Sequence, residues 1–420
     1  MPVRWISDEL RFDSMKETVL PFGKGRSYGD SCLNHGGALL DTNDLNRFIA
    51  FNEEKGVLRC EAGVTLEEIL QLTVPKGWFL PVSPGTKFVS LGGAIANDVH
   101  GKNHHRVGTF GRHVTCFELL RSNGERLICS PKHNAQWYGA TIGGLGLTGL
   151  ILWAEIQLKH ISNAFIETET IRFQSLDEFF KISRESAETH EYTVAWVDTL
   201  APRSAVGRGI FIRGNSSQRT HGLPFRRGPL QPLNIPTDAP HVLLNRFTLG
   251  LFNVMYYHKR RPARSVDHYD EFFYPLDRLS QWNRLYGKSG FYQYQCVVPE
   301  EAAHEVLQWM LRKISRSRAG SFLGVLKQFG DLTSPGLLSF PKRGTTLAVD
   351  FPNRGHSTLE LMEEFDAAVR STSGAVYPAK DARMSAESFQ TFFPQWKIFS
   401  RFVDPKFSSS FWRRVTSSFT

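Results

Sequence analysis

Three short glycine-rich segments constrain this chain more than any other feature of its sequence. They occupy residues 21–30, 82–101 and 141–149. Glycine lets backbone N–H groups turn inward and approach a ligand closely, and concave sets of such groups bind anions, phosphates above all. One glycine segment is weak evidence. Three in this order, each after an apolar or β-prone run, indicate a long diphosphate ligand that is held at several points.

The third glycine segment does not fit the other common nucleotide-binding pattern. In a dinucleotide-binding βαβ unit the glycines lead from a strand into a helix. Here Leu-Ile-Leu-Trp-Ala-Glu-Ile at 150–156 follows the glycines and is typical of a strand. Each segment alone could still be an ordinary turn, whereas the ordered set favours a ligand site.

Length and composition are those of an ordinary globular protein. The 420 residues are enough for two to three domains, and 41% hydrophobic with 22% charged residues is typical of a globular chain. The 32 phenylalanines fit large cores or an apolar substrate channel. The five cysteines are scattered and form no Cys-x-x-Cys pair, so neither a zinc site nor a disulfide framework is expected.

The net charge of +9 would suit nucleic acid, anionic lipid or a phosphorylated substrate. No nucleic-acid motif is present, so nucleic acid is not expected as a partner. The segment 258–264 carries four of the positive charges and follows an apolar stretch at 242–257 that Asn245, Arg246 and Asn253 interrupt. That stretch is a poor transmembrane helix. It could lie on a membrane surface, or it could be a buried helix followed by a solvated basic loop.

The first ten residues contain no signal-peptide hydrophobic region, so a cytoplasmic protein is the default expectation. Periodicity predicts further elements along the chain. Helices are predicted at 66–74, 176–187 and 300–315, strands at 114–120, 150–158, 168–173, 192–197, 291–298 and 345–351, a hairpin at Asn123-Gly124, and a long loop at 214–240. From residue 163 onward the order of strands and helices suits an antiparallel sheet covered by helices.

The glycine segments resemble the vanillyl-alcohol-oxidase type (PCMH-type) of FAD-binding domain. More specifically, Gly-Arg-Ser-Tyr-Gly-Asp at 25–30 and the stretch 83–105 resemble the decaprenylphosphoryl-β-D-ribose 2'-oxidase family. The resemblance continues through Phe-Tyr-Pro-Leu-Asp at 273–277, Val-Asp-Phe-Pro at 349–352 and Ala-Lys-Asp-Ala-Arg at 379–383, and it covers about 20 to 415. It implies an α+β fold in which residues 1–162 and 375–420 build the FAD-binding domain and residues 163–374 build a substrate-binding domain.

The resemblance also implies a set of FAD-contacting residues. They are Gly25, Arg26, Ser27, Tyr28, Gly29, Gly85, Thr86, Gly92, Gly93, Asn97, His100, Gly101, Gly149, Ile151 and Tyr377. In many relatives of the wider superfamily a histidine of the first glycine loop bonds covalently to the flavin. Tyr28 stands at that position here, so the resemblance implies non-covalent FAD.

Lys380, His100 and Tyr377 are expected to act in catalysis. His100 and Tyr377 also belong to the FAD-contacting set, and Lys380 lies three residues after Tyr377. A lysine beside a flavin can stabilise the charge of the reduced ring, hold the substrate hydroxyl, or accept its proton if burial lowers its pKa. Without the family, Lys380 beside Asp381 is more typical of a surface salt bridge, and His100 of a loop histidine.

The expected substrate residues are Gln293, Gln295, Lys327, Thr346, Ala348, Lys380 and Trp282. Gln293 and Gln295 alternate with aromatic residues and so lie on one face of a strand, where they could bind ribose hydroxyls, and Lys327 could bind the substrate's phosphate. Mycobacterial members of the family have cysteine at the position of Ala348, asparagine is usual at the position of Thr346, and Asn97 also replaces a cysteine, so the sugar or lipid could differ.

The resemblance implies oxidation of the 2'-hydroxyl of a polyprenyl-phosphate-linked ribose to a 2'-keto sugar. This is the first half of an epimerisation to arabinose, in cell-wall arabinan precursor synthesis, which an NAD(P)H-dependent short-chain reductase completes, with the protein in the cytoplasm or peripheral at the inner face of the membrane. Two alternatives stay open. One is an aldonolactone or alditol oxidase acting on a soluble sugar, although the His-Trp-x-Lys element of those relatives is missing here. The other is a non-catalytic flavin- or lipid-binding protein.

Overall fold

The structure is a computed structural model, and it describes residues 12, 15–219, 221–222, 233–240, 246–317 and 320–416. Residues 1–10, considered above for a signal peptide, lie outside the described residues. So do residues 242–245 of the apolar stretch, and residues 220 and 223–232 of the predicted loop.

A five-stranded antiparallel sheet organises the first half of the chain, with strand order β3-β4-β8-β6-β7. The strands of this half are β1 (Val19–Phe22), β2 (Ala38–Asp41), β3 (Phe48–Asn52), β4 (Val57–Glu61), β5 (Trp78–Phe79), β6 (Val114–Leu120), β7 (Arg126–Cys129), β8 (Leu150–Gln157) and β9 (Lys159–His160). The predicted Asn123-Gly124 turn joins β6 to β7. Pairs β1–β2 and β5–β9 form two small separate sheets.

Short helices connect these strands: α1 (Leu66–Thr73), α2 (Leu91–Ala96), α3 (His104–Val107) and α4 (Ala135–Thr141). Helix α1 begins at a capping box, in which the Thr65 hydroxyl accepts the Glu68 N–H and the Glu68 carboxylate accepts the Thr65 N–H. The Ser90 hydroxyl caps α2 by accepting the Gly93 N–H at 3.3 Å. The second glycine segment therefore contains a capped helix.

The second half of the chain contains an eight-stranded antiparallel sheet, in the order β14-β10-β12-β11-β17-β18-β16-β19. The strands of this half are β10 (Phe165–Phe173), β11 (Tyr192–Val197), β12 (Gly209–Ser216), β13 (Leu233–Asn234), β14 (Arg264–His268), β15 (Leu279–Ser280), β16 (Phe291–Val298), β17 (Gly324–Phe329), β18 (Gly344–Pro352) and β19 (Ala375–Val376). The predicted loop at 214–240 is thus shorter than expected, because β12 runs to Ser216 and β13 pairs with β15.

Helices cover one face of this sheet. The helices of this half are α5 (Leu176–Ala187), α6 (Arg246–His258), α7 (Tyr269–Phe273), α8 (Glu300–Ser317), α9 (His356–Arg370), α10 (Ala386–Phe392), α11 (Trp396–Phe399) and α12 (Ser410–Thr416). The side chains of α5, α8 and α9 pack with alternate residues of β16, β17 and β18 in one hydrophobic core. The predicted α+β fold, with an antiparallel sheet covered by helices, is confirmed.

The end of the described chain returns to the first glycine segment. The Arg414 guanidinium donates to both carboxylate oxygens of Asp30, at 2.6 and 3.0 Å, and to Asp381 at 3.0 Å. The Ser408 N–H donates to the carbonyl oxygen of Val19 at 3.0 Å. The division into an FAD-binding domain of residues 1–162 and 375–420 and a substrate domain of residues 163–374 stays a prediction, and these contacts are compatible with it.

Candidate active site

A cavity of about 1050 Å³ lies between the glycine segments and the sheet face that α5, α8 and α9 leave uncovered. This volume is at the upper end of the range of small-molecule sites. Fourteen of the fifteen expected FAD residues line it, and they are Gly25, Arg26, Ser27, Tyr28, Gly85, Thr86, Gly92, Gly93, Asn97, His100, Gly101, Gly149, Ile151 and Tyr377. All three glycine segments therefore meet at one cavity.

Two of the lining glycines, Gly85 and Gly149, contribute to the cavity in different ways. A Cβ at Gly85 would meet no atom within 4 Å, so it would project into open space. Gly149 has φ +141°, which side-chain-bearing residues rarely adopt, and it carries the chain from the third segment into β8. The residues present fit an elongated diphosphate cofactor such as FAD.

Gly29 lies behind the cavity wall. A Cβ at this position would overlap the carbonyl oxygen of Asp381, so the two segments can approach this closely only with glycine here. The Tyr28 N–H donates to the carbonyl oxygen of Ala379 at 2.8 Å. As a result Lys380 Nζ lies 3.8 Å from the centroid of the Tyr28 ring. Two segments from opposite parts of the sequence thus place a cation against a tyrosine.

Lys380 belongs to the 3₁₀ turn Pro378–Lys380 and lines the cavity. Burial lowers the pKa of its ammonium group to about 7, the Asp350 carboxylate opposes that shift, and the Lys327 charge adds to it. A lysine with this pKa exchanges its proton near neutral pH. The interpretation of Lys380 as part of a surface salt bridge does not describe this environment.

His100 and Tyr377 pack together on the same wall, with ring centroids 5.3 Å apart. The Gln295 amide lies 2.9 Å from His100 Nε2, while His100 Nδ1 is buried with no partner among the described residues. Burial, together with the charges of Lys327, His104 and Lys380, holds the pKa of His100 well below its usual range. A neutral imidazole that accepts at Nε2 carries its proton at Nδ1, where it is available to a ligand.

Tyr377 is fixed from both ends. Its hydroxyl donates to the carbonyl oxygen of Asn97 at 2.9 Å, and its N–H donates to the carbonyl oxygen of Gln295 at 2.9 Å. Burial raises the pKa of its hydroxyl far above the ordinary value, so the group stays protonated. Tyr377 therefore links the second glycine segment to β16.

Five of the seven expected substrate residues belong to β16, β17 and β18, whereas Lys380 and Trp282 belong to short 3₁₀ turns beside the sheet. Six of the seven line the cavity, and they are Gln293, Gln295, Lys327, Ala348, Lys380 and Trp282. Thr346 does not line the cavity; it is buried, and its hydroxyl accepts the Gln295 amide at 3.2 Å. Gln293 donates to the buried Asp350 carboxylate at 2.6 Å.

Sequence reasoning assigned no role to two charged residues of this site. Lys102 lines the cavity, its ammonium group donates to the carbonyl oxygen of Phe272, and burial lowers its pKa to about 7. Burial raises the pKa of Asp350 to about 6, which hydrogen bonds from Gln293 and Tyr286 and the charge of Lys380 counteract. Both residues lie inside motifs that carry the family resemblance. The motifs therefore pointed to these positions, but they did not indicate what either side chain does.

Beyond the lysines the cavity becomes mainly apolar. Its wall continues along the uncovered sheet face and under α6, where Val194, Trp196, Ile212, Tyr256, Leu323 and Val325 line it. Thr168 and Thr170 of β10 and Asp267 of β14 add polar groups to this wall. Within the part of the chain that the structure describes, no three His, Cys, Asp or Glu side chains are grouped so that they could hold a metal ion. The site thus combines glycine loops, a set of lysines and a long apolar extension.

Known proteins share this sequence over most of its length. Residues 8–130 match the model of an FAD binding domain. The chain is 38% identical to decaprenylphosphoryl-beta-D-ribose oxidase of Mycolicibacterium smegmatis, over 94% of this chain and 89% of that protein. It is 33% identical to an uncharacterized protein of Streptomyces coelicolor, over 84% of this chain and the whole of that protein.

A more distant likeness covers only part of the chain. Delta(24)-sterol reductase of Homo sapiens is 25% identical over 37% of this chain and 26% of its own length. The match to the mycobacterial oxidase covers both the glycine segments and the uncovered sheet face that form the cavity. The match to an FAD binding domain identifies FAD as the cofactor of the protein described here. The chain belongs to the decaprenylphosphoryl-β-D-ribose oxidase family of FAD-dependent oxidoreductases.

Proposed function

We propose that this protein oxidises the 2'-hydroxyl of a polyprenyl-phosphate-linked ribose to a 2'-keto sugar. One observation carries the proposal: Lys380, with a pKa of about 7, lies where the glycine segments meet the uncovered sheet face. FAD, when bound, supplies the acceptor for the hydride that leaves the sugar carbon. The hydroxyl proton must leave as well, and Lys380 is placed to take it.

Lys380 is suited to this role by its protonation state. Because burial lowers the pKa of its ammonium group to about 7, the neutral form is accessible near neutral pH, and the side chain can then accept a proton. Asp350 favours the protonated form once the proton has arrived, because the opposite charges attract. The same cation would also stabilise negative charge that develops nearby.

The sugar and the phosphate are proposed to bind on either side of Lys380. Gln295 and His100 form one hydrogen-bonded pair, and His100 Nδ1 is left as a buried donor for a sugar hydroxyl or the cofactor. Lys327, whose pKa burial lowers to about 8, and Lys102 are proposed to bind the phosphate. An anion would raise both pKa values, so binding and protonation of these lysines favour each other.

The prenyl chain of the substrate is proposed to occupy the apolar part of the cavity. The apolar wall from Val325 to Tyr256 suits a prenyl chain.

The 2'-keto product would require a reductase, and we infer an NAD(P)H-dependent short-chain enzyme as the partner that completes epimerisation to arabinose. A protein that takes a lipid-linked substrate would work at a membrane surface, and we place it at the inner face. In the described part of the chain, no helix has the length and apolar character needed to cross a membrane.

We infer that the flavin is held without a covalent bond, because Tyr28 stands where a histidine would form one. Acid precipitation of the purified protein is therefore expected to release yellow flavin into the supernatant. A yellow pellet, with flavin mass on a tryptic peptide, would contradict this inference.

The substrate is tested by anaerobic reduction of the bound flavin. A short-chain prenylphosphoryl ribose is expected to bleach the flavin absorbance, and the 2'-deoxy analogue, which lacks the reacting hydroxyl, is the matched control. Bleaching by soluble aldonolactones or alditols, and not by the lipid-linked ribose, would instead identify an oxidase of soluble sugars. A bound flavin that no sugar reduces would indicate a non-catalytic protein.

A further inference from the structure

Helix α6 (Arg246–His258) has two faces of different character. Its inner face is fixed to the protein by Asn253, a fully buried residue whose amide donates to Asp198 at 2.9 Å and to the carbonyl oxygen of Ser321 at 3.2 Å. Leu249 and Tyr257 are buried on the same side. Because a buried amide with two partners is costly to rotate out of place, the orientation of α6 is well determined.

The outer face of α6 is apolar and exposed. Phe247, Leu251 and Met255 follow one another at intervals of four residues and are 76%, 62% and 64% exposed, and Val254 beside them is 43% exposed. Side chains four residues apart on a helix form one continuous stripe. A contiguous exposed apolar surface of this kind marks an interaction site more often than scattered single residues do.

Positive charge adjoins this stripe. Lys259 and Arg260 directly follow the helix and are exposed, and the side chain of Arg264 is 85% exposed. The sequence from 246 to 264 contains no acidic residue. An apolar helix face that ends in basic residues has the composition of helices that lie in the interface of an anionic bilayer.

The same helix reaches the apolar end of the cavity from its other side. Tyr256 lines the cavity and packs against Trp196, with ring centroids 4.8 Å apart. Phe252 stacks on Tyr256 at 5.8 Å and contacts Phe322. The exposed stripe and the apolar extension of the cavity are thus separated by the thickness of one helix.

We propose that the outer face of α6 docks on an anionic lipid surface and so presents the apolar end of the cavity to that surface. The docking depends only on α6 and its basic end. Its use, the transfer of a prenyl chain from the bilayer into the cavity, rests on the function proposed above. A second copy of this chain would cover the apolar stripe equally well, but this segment of a second copy would offer no negative charge to Lys259 and Arg260.

Vesicle binding of the flavin-loaded full chain tests the docking directly. In co-sedimentation, we expect the protein to bind phosphatidylcholine vesicles that contain phosphatidylglycerol at least about 10-fold more tightly than vesicles of phosphatidylcholine alone, since each basic residue near an anionic surface contributes about 5-fold. The double variant Leu251→Glu/Met255→Glu should lose about 10-fold or more of that affinity. Lys259→Glu/Arg260→Glu should remove the preference for anionic lipid.

A matched control uses two apolar residues that are exposed elsewhere, Ile128 and Ile398, at 41% and 50%. Ile128→Glu/Ile398→Glu should bind vesicles within about 2-fold of the unchanged protein. The proposal is overturned if the control loses as much affinity as the α6 variant, or if none of the variants differs from the unchanged protein. It is also overturned if Leu251→Glu/Met255→Glu converts a dimer to a monomer while vesicle binding persists.

Activity separates this inference from the proposed function. The α6 variant should keep its flavin and its turnover of a water-soluble, short-chain substrate, and lose turnover only of a long-chain substrate embedded in anionic vesicles. If no lipid-linked ribose is oxidised by any form, the proposed function fails, while the vesicle-binding result still decides the docking. Equal loss of turnover on both substrates would show that the α6 variant damages the site rather than the contact with lipid.

Discussion

The two faces of the eight-stranded sheet differ although they belong to the same strands. On β16, Tyr294 and Cys296 point into the hydrophobic core, and Gln293 and Gln295 line the cavity. On β18, Leu347, Val349 and Phe351 are in the core, while Ala348 lines the cavity. Successive side chains of a strand alternate between faces. One face of the sheet therefore packs in the core and the other lines the cavity, and side chains alternate between the two faces along each strand.

The site gains its rigidity from the core face of the strands that form it. The cavity face carries lysines and amides that need fixed positions, and the core face fixes the strands that bear them. The two faces should therefore respond differently to mutation. Core changes should lower the stability of the fold, and cavity changes should lower turnover at nearly constant stability.

The largest effect is expected on the core face, from Phe351→Ala. Phe351 is fully buried and packs near Phe365, with ring centroids 6.1 Å apart. The cavity left behind should lower the free energy of unfolding by about 3–5 kcal/mol, as measured by urea unfolding of the flavin-loaded protein. Turnover per flavin-loaded molecule should stay within a few-fold. A large loss of turnover without loss of stability would break the distinction between the faces.

Lys380→Ala should show the opposite pattern. Turnover should fall about 100-fold or more, which corresponds to about 2.7 kcal/mol in the activation barrier, and the urea midpoint should change little. Lys313→Ala is the matched control, because Lys313 is half exposed and pairs with Glu364 at 2.7 Å on the helical side. Its turnover should stay within about 2-fold. Normal turnover in flavin-loaded Lys380→Ala would show that Lys380 only stabilises the structure.

A smaller effect is expected on the pH profile. If neutral Lys380 takes the proton, kcat/KM is lost as the pH falls through about 7, the pKa of that group. Asp350→Asn removes the carboxylate that favours protonated Lys380, so the pKa of Lys380 should fall and the acid limb should move roughly one pH unit lower. Lys327, which lowers the pKa of Lys380, is unchanged in this variant.

Asp366→Asn is the control for that shift on the core face. Burial raises the pKa of Asp366 to about 6, as it does for Asp350, but Asp366 pairs with Arg383 at 2.7 Å and accepts the Tyr294 hydroxyl at 3.0 Å. This variant should lose stability and keep the acid limb in place. Equal shifts in both variants would mean that the limb reports a general property of the fold.

The smallest effect on turnover is expected from Ala348→Cys. This change places a thiol on the sheet side of the cavity wall, in addition to the natural Cys32 on the glycine-segment side, so the unchanged protein is the reference for labelling of Cys32. The natural Cys296 is buried in the core, and burial raises its pKa to about 12. A thiol reagent should modify the introduced thiol within minutes and inactivate the variant, and bound substrate should slow the reaction. Intact mass should show no modification of Cys296. Rapid labelling of Cys296 in the unchanged protein would contradict the assignment of faces.

Sequence patterns predicted the local elements well where one physical rule dominates. Helix α5 has the bounds 176–187 that its apolar spacing indicated, because Ser175 caps it by accepting the Glu178 N–H. The alternation on β16 predicted correctly that Gln293 and Gln295 share a face. The exposed side of α6 was left open, because an apolar run does not say whether a helix is covered.

The candidate site was predictable mainly through family resemblance. Spacing alone gave no reason to bring Lys380 against Tyr28, since their contact depends on a meeting of two distant segments. The perturbed environments of Lys102 and Asp350 could not be predicted for a related reason. Their pKa shifts come from burial, which appears only once the cavity walls are assembled.

The Arg414 contacts have a consequence for the order of events in biosynthesis. The Asp30–Arg414 pair joins residues 384 positions apart, and the same guanidinium holds Asp381 beside Lys380. The first glycine segment can therefore reach its final partners only after the ribosome has made Arg414. Contacts so distant in sequence slow folding, and they leave apolar surface uncovered meanwhile. The first glycine segment thus remains without its C-terminal partners during most of synthesis.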